Sequence, residues 1–147
     1  MKVRTLIARI GAAAVVVSGG LLLTTTTASA HSAPQTLEFV TVEQNAVGYS
    51  TTALAATDED FSTSGKLIGF AVLYFTTNPV SGEVRIHAAV AVDGGIIYGR
   101  LTSASSTSPI FTGKVTGGTG AFRDAAGTIT ATAQSATASL VTVVFTT

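Results

Sequence analysis

The side chains that could do chemistry in this chain come in pairs two residues apart. Asp58 and Asp60 are the first pair. On a strand, residues spaced by two share a face, and two carboxylates in one enclosed site push a pKa upward, yielding a proton donor at neutral pH. The plainer reading is a solvated strand end, because Asp58-Glu59-Asp60 stands beside Ser62–Gly65 and charge clusters near turns are usually exposed. Glu83, Arg85 and His87 form a second set, sharing a face with Ala89 and Ala91, while Val84, Ile86, Ala88, Val90 and Val92 make the opposite face aliphatic. A cavity wall bearing the polar set could hold the polar end of a ligand; with the aliphatic face inside, the same groups stand in water. Tyr98 and Arg100 pose the third choice: an interior pair could fix a carbonyl or carboxylate, and an exterior pair is ordinary surface. Parity supplies the pairing but not the sidedness.

Other chemistries find little support. His31 would become the first residue after cleavage of a leader, and with His87 it could form a copper-binding brace, against the commoner case of a flexible end before Pro34. Two ligands alone are a weak metal signal, and no metal or cofactor is expected. There is no Gly-x-Ser-x-Gly elbow, no His-Glu-x-x-His and no cysteine nucleophile. Lys114 precedes the glycines Gly117, Gly118 and Gly120, and no helical pattern follows them, so a phosphate-binding loop is excluded on spacing.

The chain begins with an address. Lys2, Arg4 and Arg9 precede an apolar run from Ile10 to Leu23, and Ala28-Ser29-Ala30 is the small-x-small pattern of a signal peptidase site. The apolar run is short for a membrane span, and Arg4 and Arg9 are not adjacent as a twin-arginine leader requires. Residues 1–30 therefore read as a Sec-type signal peptide cleaved after Ala30, giving a secreted protein with no membrane anchor and one domain over residues 31–147. The formal charge of the whole chain is +0. Without the leader it turns negative: Lys66, Arg85, Arg100, Lys114 and Arg123 face Glu38, Glu43, Asp58, Glu59, Asp60, Glu83, Asp93 and Asp124. No basic cluster and no interleaving of aromatics with Lys or Arg argues against nucleic acid. With no cysteine, an exported domain must rely on a closed core or on oligomerisation.

What must position the paired residues is a set of strands. Alternation predicts strands over Thr36–Glu43, Tyr49–Phe61, Leu67–Thr76, Glu83–Val92, Ile96–Thr102, the stretch from Ile110, Gly127–Ala133 and Leu140–Thr146. Ser64-Gly65, Asn78–Gly82 and Asp93-Gly94-Gly95 supply turns. Eight short, evenly spaced strands without a convincing helix mean a sandwich or barrel. The run Phe70–Phe75 is apolar on both faces, so one face can line an interior, and the other would meet a neighbouring copy.

The sharpest motif is Val115-Thr-Gly-Gly-Thr-Gly-Ala-Phe-Arg-Asp-Ala-Ala-Gly127. Closely spaced glycines let the backbone reverse tightly between strands, Phe122 can plug an end of the sheet, and Arg123 is suited to tying down the bend. This run resembles the signature near the C-terminus of the allene oxide cyclase and dirigent superfamily, approximately Val-x-Gly-Gly-Thr-Gly-x-Phe-Arg-x-Ala-Arg-Gly. A looser likeness covers Asp58–Gly69. The departure is Ala126, where the plant dirigent pattern has a second arginine; it puts a plant-type reaction in doubt and leaves the barrel untouched.

The resemblance implies an all-β fold, a single eight-stranded antiparallel barrel, and association into trimers through barrel exteriors. It implies binding of a small hydrophobic molecule in the lumen and holding it for cyclisation or stereoselective coupling, an isomerase-like activity without covalent intermediate, with acidic groups to polarise or protonate the ligand. The alternative is a non-catalytic secreted module that binds a ligand or acts at the cell surface. On these grounds Asp58, Asp60, Tyr98 and Arg100 are the candidate catalytic residues. Phe70, Tyr74, Arg85, His87 and Phe122 are the candidate ligand contacts.

Overall fold

The computed structural model describes residues 33–147, so the signal peptide, its cleavage after Ala30 and His31 lie outside the described residues. Eight strands follow in order: β1 (Gln35–Ser50), β2 (Ala53–Ser62), β3 (Leu67–Thr77), β4 (Val84–Val92), β5 (Gly95–Ser103), β6 (Ile110–Gly118), β7 (Ala126–Ala133) and β8 (Ala138–Thr146). Each pairs antiparallel with the next, and β8 returns to β1, giving the closed barrel that the resemblance implies, one of the two architectures the strand count allowed. Closure removes the free sheet edges that an open meander would expose. A single 3-10 turn, Gly120–Phe122, is the only helical element among the described residues.

Alternation sets what faces inward. Phe39, Ala71, Ile86, Val90, Ile97, Leu101, Ile129, Val141 and Val143 are buried and form the core inside the barrel. On β4 the aliphatic face is the inner one: Val84, Ile86 and Val90 are buried, whereas Arg85 and His87 are exposed. A barrel wall resolves sidedness by burial, because turning the polar set inward would strand its charges in an apolar core.

The second strand departs from expectation. Tyr49 belongs to β1, which runs on to Ser50 before the two-residue connection Thr51–Thr52, and β2 starts at Ala53. A register shift between Glu43 and Asn45 carries the hairpin past an irregularity that weakens the alternation in the sequence. Beyond Val42 the strand has left β8 and pairs only with β2, so Val47 and Tyr49 are exposed.

The glycine-rich motif closes one end of the barrel. Thr119 N–H donates to the Ile96 carbonyl (2.8 Å), Ile96 N–H donates to Thr119 Oγ1 (3.0 Å), and Ala121 N–H donates to the Gly94 carbonyl (2.9 Å). These bonds clamp the bend onto the β4–β5 turn. Gly120 has φ 60° and lies so close to that turn that a Cβ would collide with the Gly94 carbonyl oxygen, which is why glycine stands there. Phe122 then packs edge-on against Phe145, with ring centroids 5.6 Å apart and planes at 66°, an arrangement that adds to the area it buries.

Candidate functional site

The barrel encloses a cavity of about 240 Å³. Its wall is built from inward residues of all strands, with Phe39, Leu73, Phe75, Ile86, Leu101, Phe111, Ile129 and Val141 supplying the apolar surface and Ala71, Ala88, Gly99 and Ala131 leaving room. It reaches the rim at the β7–β8 connection and the start of β8, along Ser135–Ser139. Long side chains on one strand opposite short ones on another leave a hollow where uniform large residues would fill it.

One sector of this wall is polar. Phe39, Thr41 and Glu43 share the inner face of β1, and Ala56, Asp58 and Asp60 that of β2. The register sets Thr41 directly opposite Asp60 and Glu43 opposite Asp58, so four polar side chains form a two-by-two patch on adjacent strands. Glu43 and Asp58 line the cavity. Asp60 lies one inward position further from the rim and is 0% exposed; Asp58 is 5% exposed. The acidic triplet is therefore not a solvated strand end: Glu59 alone points to the outer face of β2, and both aspartates point in.

Hydrogen bonding in the patch is incomplete. Thr41 Oγ1 donates to Asp58 Oδ2 at 2.9 Å, and a hydroxyl has one proton to give. Asp58 Oδ1 and both oxygens of Asp60 have no partner among the described residues. Gly69, the β3 residue opposite Asp60, has no side chain to offer. Burial accordingly pushes the Asp60 carboxyl up to about 6; the Thr41 hydroxyl acts against this and the negative charge of Asp58 with it. Asp58 is raised as well, first by burial, with the Thr41 bond opposing and Glu43 reinforcing. Two carboxyls titrating above the ordinary aspartate range, in an apolar cavity, can hold or release a proton near neutrality.

The remaining candidates lie on the other side of the wall. Tyr98 and Arg100 are on the outer face of β5, and Phe70 and Tyr74 on that of β3. None of the four touches the lumen cavity. Arg85 and His87 are outside as well, and Arg85 Nε donates to Glu83 Oε1 at 2.8 Å in an exposed ion pair. Tyr74, His87, Tyr98 and Arg100 instead border a shallow depression on the barrel exterior. A lumen role for these six residues is corrected by strand parity: their inward neighbours are Ala71, Leu73, Ile86, Ile97, Gly99 and Leu101. Phe122 packs at the closed end against Phe145 rather than in the cavity wall. His87 is on the outer face of β4, and His31, the other half of the brace considered from sequence, lies outside the described residues.

Two polar residues of the site, Thr41 and Glu43, were not singled out from sequence. Both share parity with Leu37 and Phe39, so the signal was present; what it lacked was the pairing that sets them against the two aspartates.

No family model matches the sequence, and no curated protein matches it. Solved structures do. A pyocyanin demethylase superposes with a TM-score of 0.63 at 18% identity, covering 74% of this chain and 98% of its own. A pterocarpan synthase dirigent protein gives 0.61 at 19% identity, covering 78% and 89%. An exo-specific intermolecular Diels-Alderase gives 0.63 at 9% identity, covering 78% and 99%. Identities this low speak to the fold alone: this chain has the same eight-stranded barrel fold as these proteins, the fold expected from the resemblance of Val115–Gly127 to the dirigent and allene oxide cyclase signature.

Proposed function

We propose that the protein is an exported barrel that takes a small hydrophobic molecule into its lumen and directs its cyclisation or stereoselective coupling. The observation that carries this reading is the apolar cavity of about 240 Å³ lined on one side by the buried carboxyl of Asp58, with Asp60 buried behind it. Catalysis of this kind works by confinement: a flexible molecule held in one near-reactive conformation has surrendered its entropy before the bond forms. Asp58 is the group placed to donate or accept a proton at the ligand: burial raises its pKa and the charge of Glu43 reinforces this, while the charge of Asp58 in turn helps hold the proton on Asp60 behind it. No covalent intermediate is required. That a dirigent protein and a Diels-Alderase share the fold supports the reading by analogy only.

The outer wall supports a homotrimer. Phe70 and Val72 are 55% and 56% exposed and stand with Tyr74 in one row along β3, an apolar strip that a soluble monomer seldom leaves bare.

The test is native mass spectrometry of protein recovered from the secreted fraction, beside an Ala88→Trp variant whose indole would fill the lumen. A co-purified small apolar mass that is lost in the variant supports a ligand container. Intact barrels that never carry or acquire a ligand would leave a structural or interaction module as the better description. The same spectra test the trimer and a mature end at residue 31.

A further inference from the structure

The charges of this molecule are sorted by the barrel wall. Glu43, Asp58 and Asp60 are on inward positions, while Lys66, Arg85, Arg100, Lys114 and Arg123 are all exposed, on outward positions or in connections. Among the described residues, no cation reaches the lumen. Three oxygens of the two buried aspartates have no protein donor, and the single hydroxyl within reach is committed to Asp58. Buried charge without a partner is costly, and proteins normally supply one from an opposite charge or a set of donors. Here the strands packed around the patch supply neither. The rest of the cavity wall is aliphatic and aromatic, with neutral serine and threonine groups only at the rim.

We propose that the lumen is built for a compact apolar molecule bearing a positively charged nitrogen, whose cationic end docks on Asp58, with Asp60 behind it, while its hydrocarbon body fills the space bounded by Leu73, Ile86, Leu101 and Ile129. This rests on the reading of the barrel as a small-molecule container and names the class it contains. A cation supplies the missing counter-charge and N–H donors at once, and a charge-assisted hydrogen bond is about twice as strong as a neutral one. An anionic ligand meets the opposite situation: its carboxylate would face Glu43, Asp58 and Asp60 without a single lumen cation to hold it. A neutral ligand falls between, filling the cavity and leaving the aspartate oxygens as they are.

The experiment uses three probes with the same hydrocarbon cage: aminoadamantane, adamantanol and adamantane carboxylate. Each is titrated calorimetrically into the full barrel at pH 7.5. The expected order is amine over alcohol by roughly tenfold or more, the factor that a hydrogen bond to a charged group provides, with the carboxylate binding weakest. In Asp58→Asn, and in Asp58→Asn with Asp60→Asn, the preference for the amine collapses while the alcohol binds as before. Retained alcohol binding also reports that the variants are folded. Equal affinity for amine and alcohol, or tightest binding of the carboxylate, would overturn the cationic ligand and leave the container intact. Failure of all three cages to bind would overturn both.

Discussion

The inner face of β1 and β2 and the outer face of β4 and β5 carry the same kind of sequence pattern: ionisable side chains two residues apart on a strand. Asp58 and Asp60 make one set, Arg85 and His87 with Tyr98 and Arg100 the other. Their fates are opposite. The aspartates are buried, short of hydrogen-bond donors and held above their ordinary pKa, whereas Arg85 stands in water with a partner it scarcely needs. An exposed ion pair of that kind is screened by solvent and adds little to stability. The lesson is that spacing creates a pair, and the side of the wall decides whether the pair has consequences.

The comparison can be broken most severely by moving a charge across the wall. Ile86→Lys puts an ammonium among aliphatic side chains, and His87→Lys, one residue along, puts the same group in solvent. The first should cost more than ~4 kcal/mol or prevent folding, and the second should stay within ~0.5 kcal/mol, by urea denaturation of both. Comparable losses in the two variants would mean that the wall does not separate inside from outside at this level.

A smaller effect sharpens the inner half. Above pH 3.8 the unfolded chain has released the Asp60 proton, whereas the folded chain keeps it until about pH 6. Between those values the native state binds more protons, so stability falls as pH rises through the window and levels off above it. Asp58, raised too, acts in the same sense. The fall amounts to at most ~3 kcal/mol from a shift of this size. Asp60→Asn should therefore stabilise the barrel at pH 7.5, gain little at pH 4, and flatten the pH profile between them. A wild-type barrel whose denaturation midpoint rises from pH 4 to pH 6 would show that these carboxyls find partners in solution.

The smallest effect belongs to the outer half. Arg100→Ala and Tyr98→Ala should each change stability by no more than ~0.5 kcal/mol and leave binding of the adamantane probes within twofold. A tenfold loss of probe affinity in either variant would place a functional contact on the exterior and undo the contrast.

Much of the architecture was legible before the structure. The turns at Ser64-Gly65 and Asp93-Gly94, the alternation of β7, and the motif from Val115 to Gly127 each speak through local rules, because a glycine at φ 60° or a period of two needs no distant partner to be recognised. The boundary between β1 and β2 was misjudged, because the register shifts after Glu43 and the alternation stutters there. The site was legible only in part. Asp58 and Asp60 were recognisable as a same-side pair, yet the acidic triplet reads equally well as a solvated end, and Thr41 and Glu43 declare themselves only when β1 is laid against β2.

The sequence by itself determined the elements: eight strands, their turns, and a tight glycine bend leading into β7. Only the tertiary structure decided which face of each strand looks inward, and with it that two aspartates are in the lumen while Tyr98, Arg100, Arg85 and His87 are not. The reason is physical. Strand periodicity is a property of neighbouring residues along one chain, whereas inside and outside exist only once β8 has paired with β1 and the wall is closed.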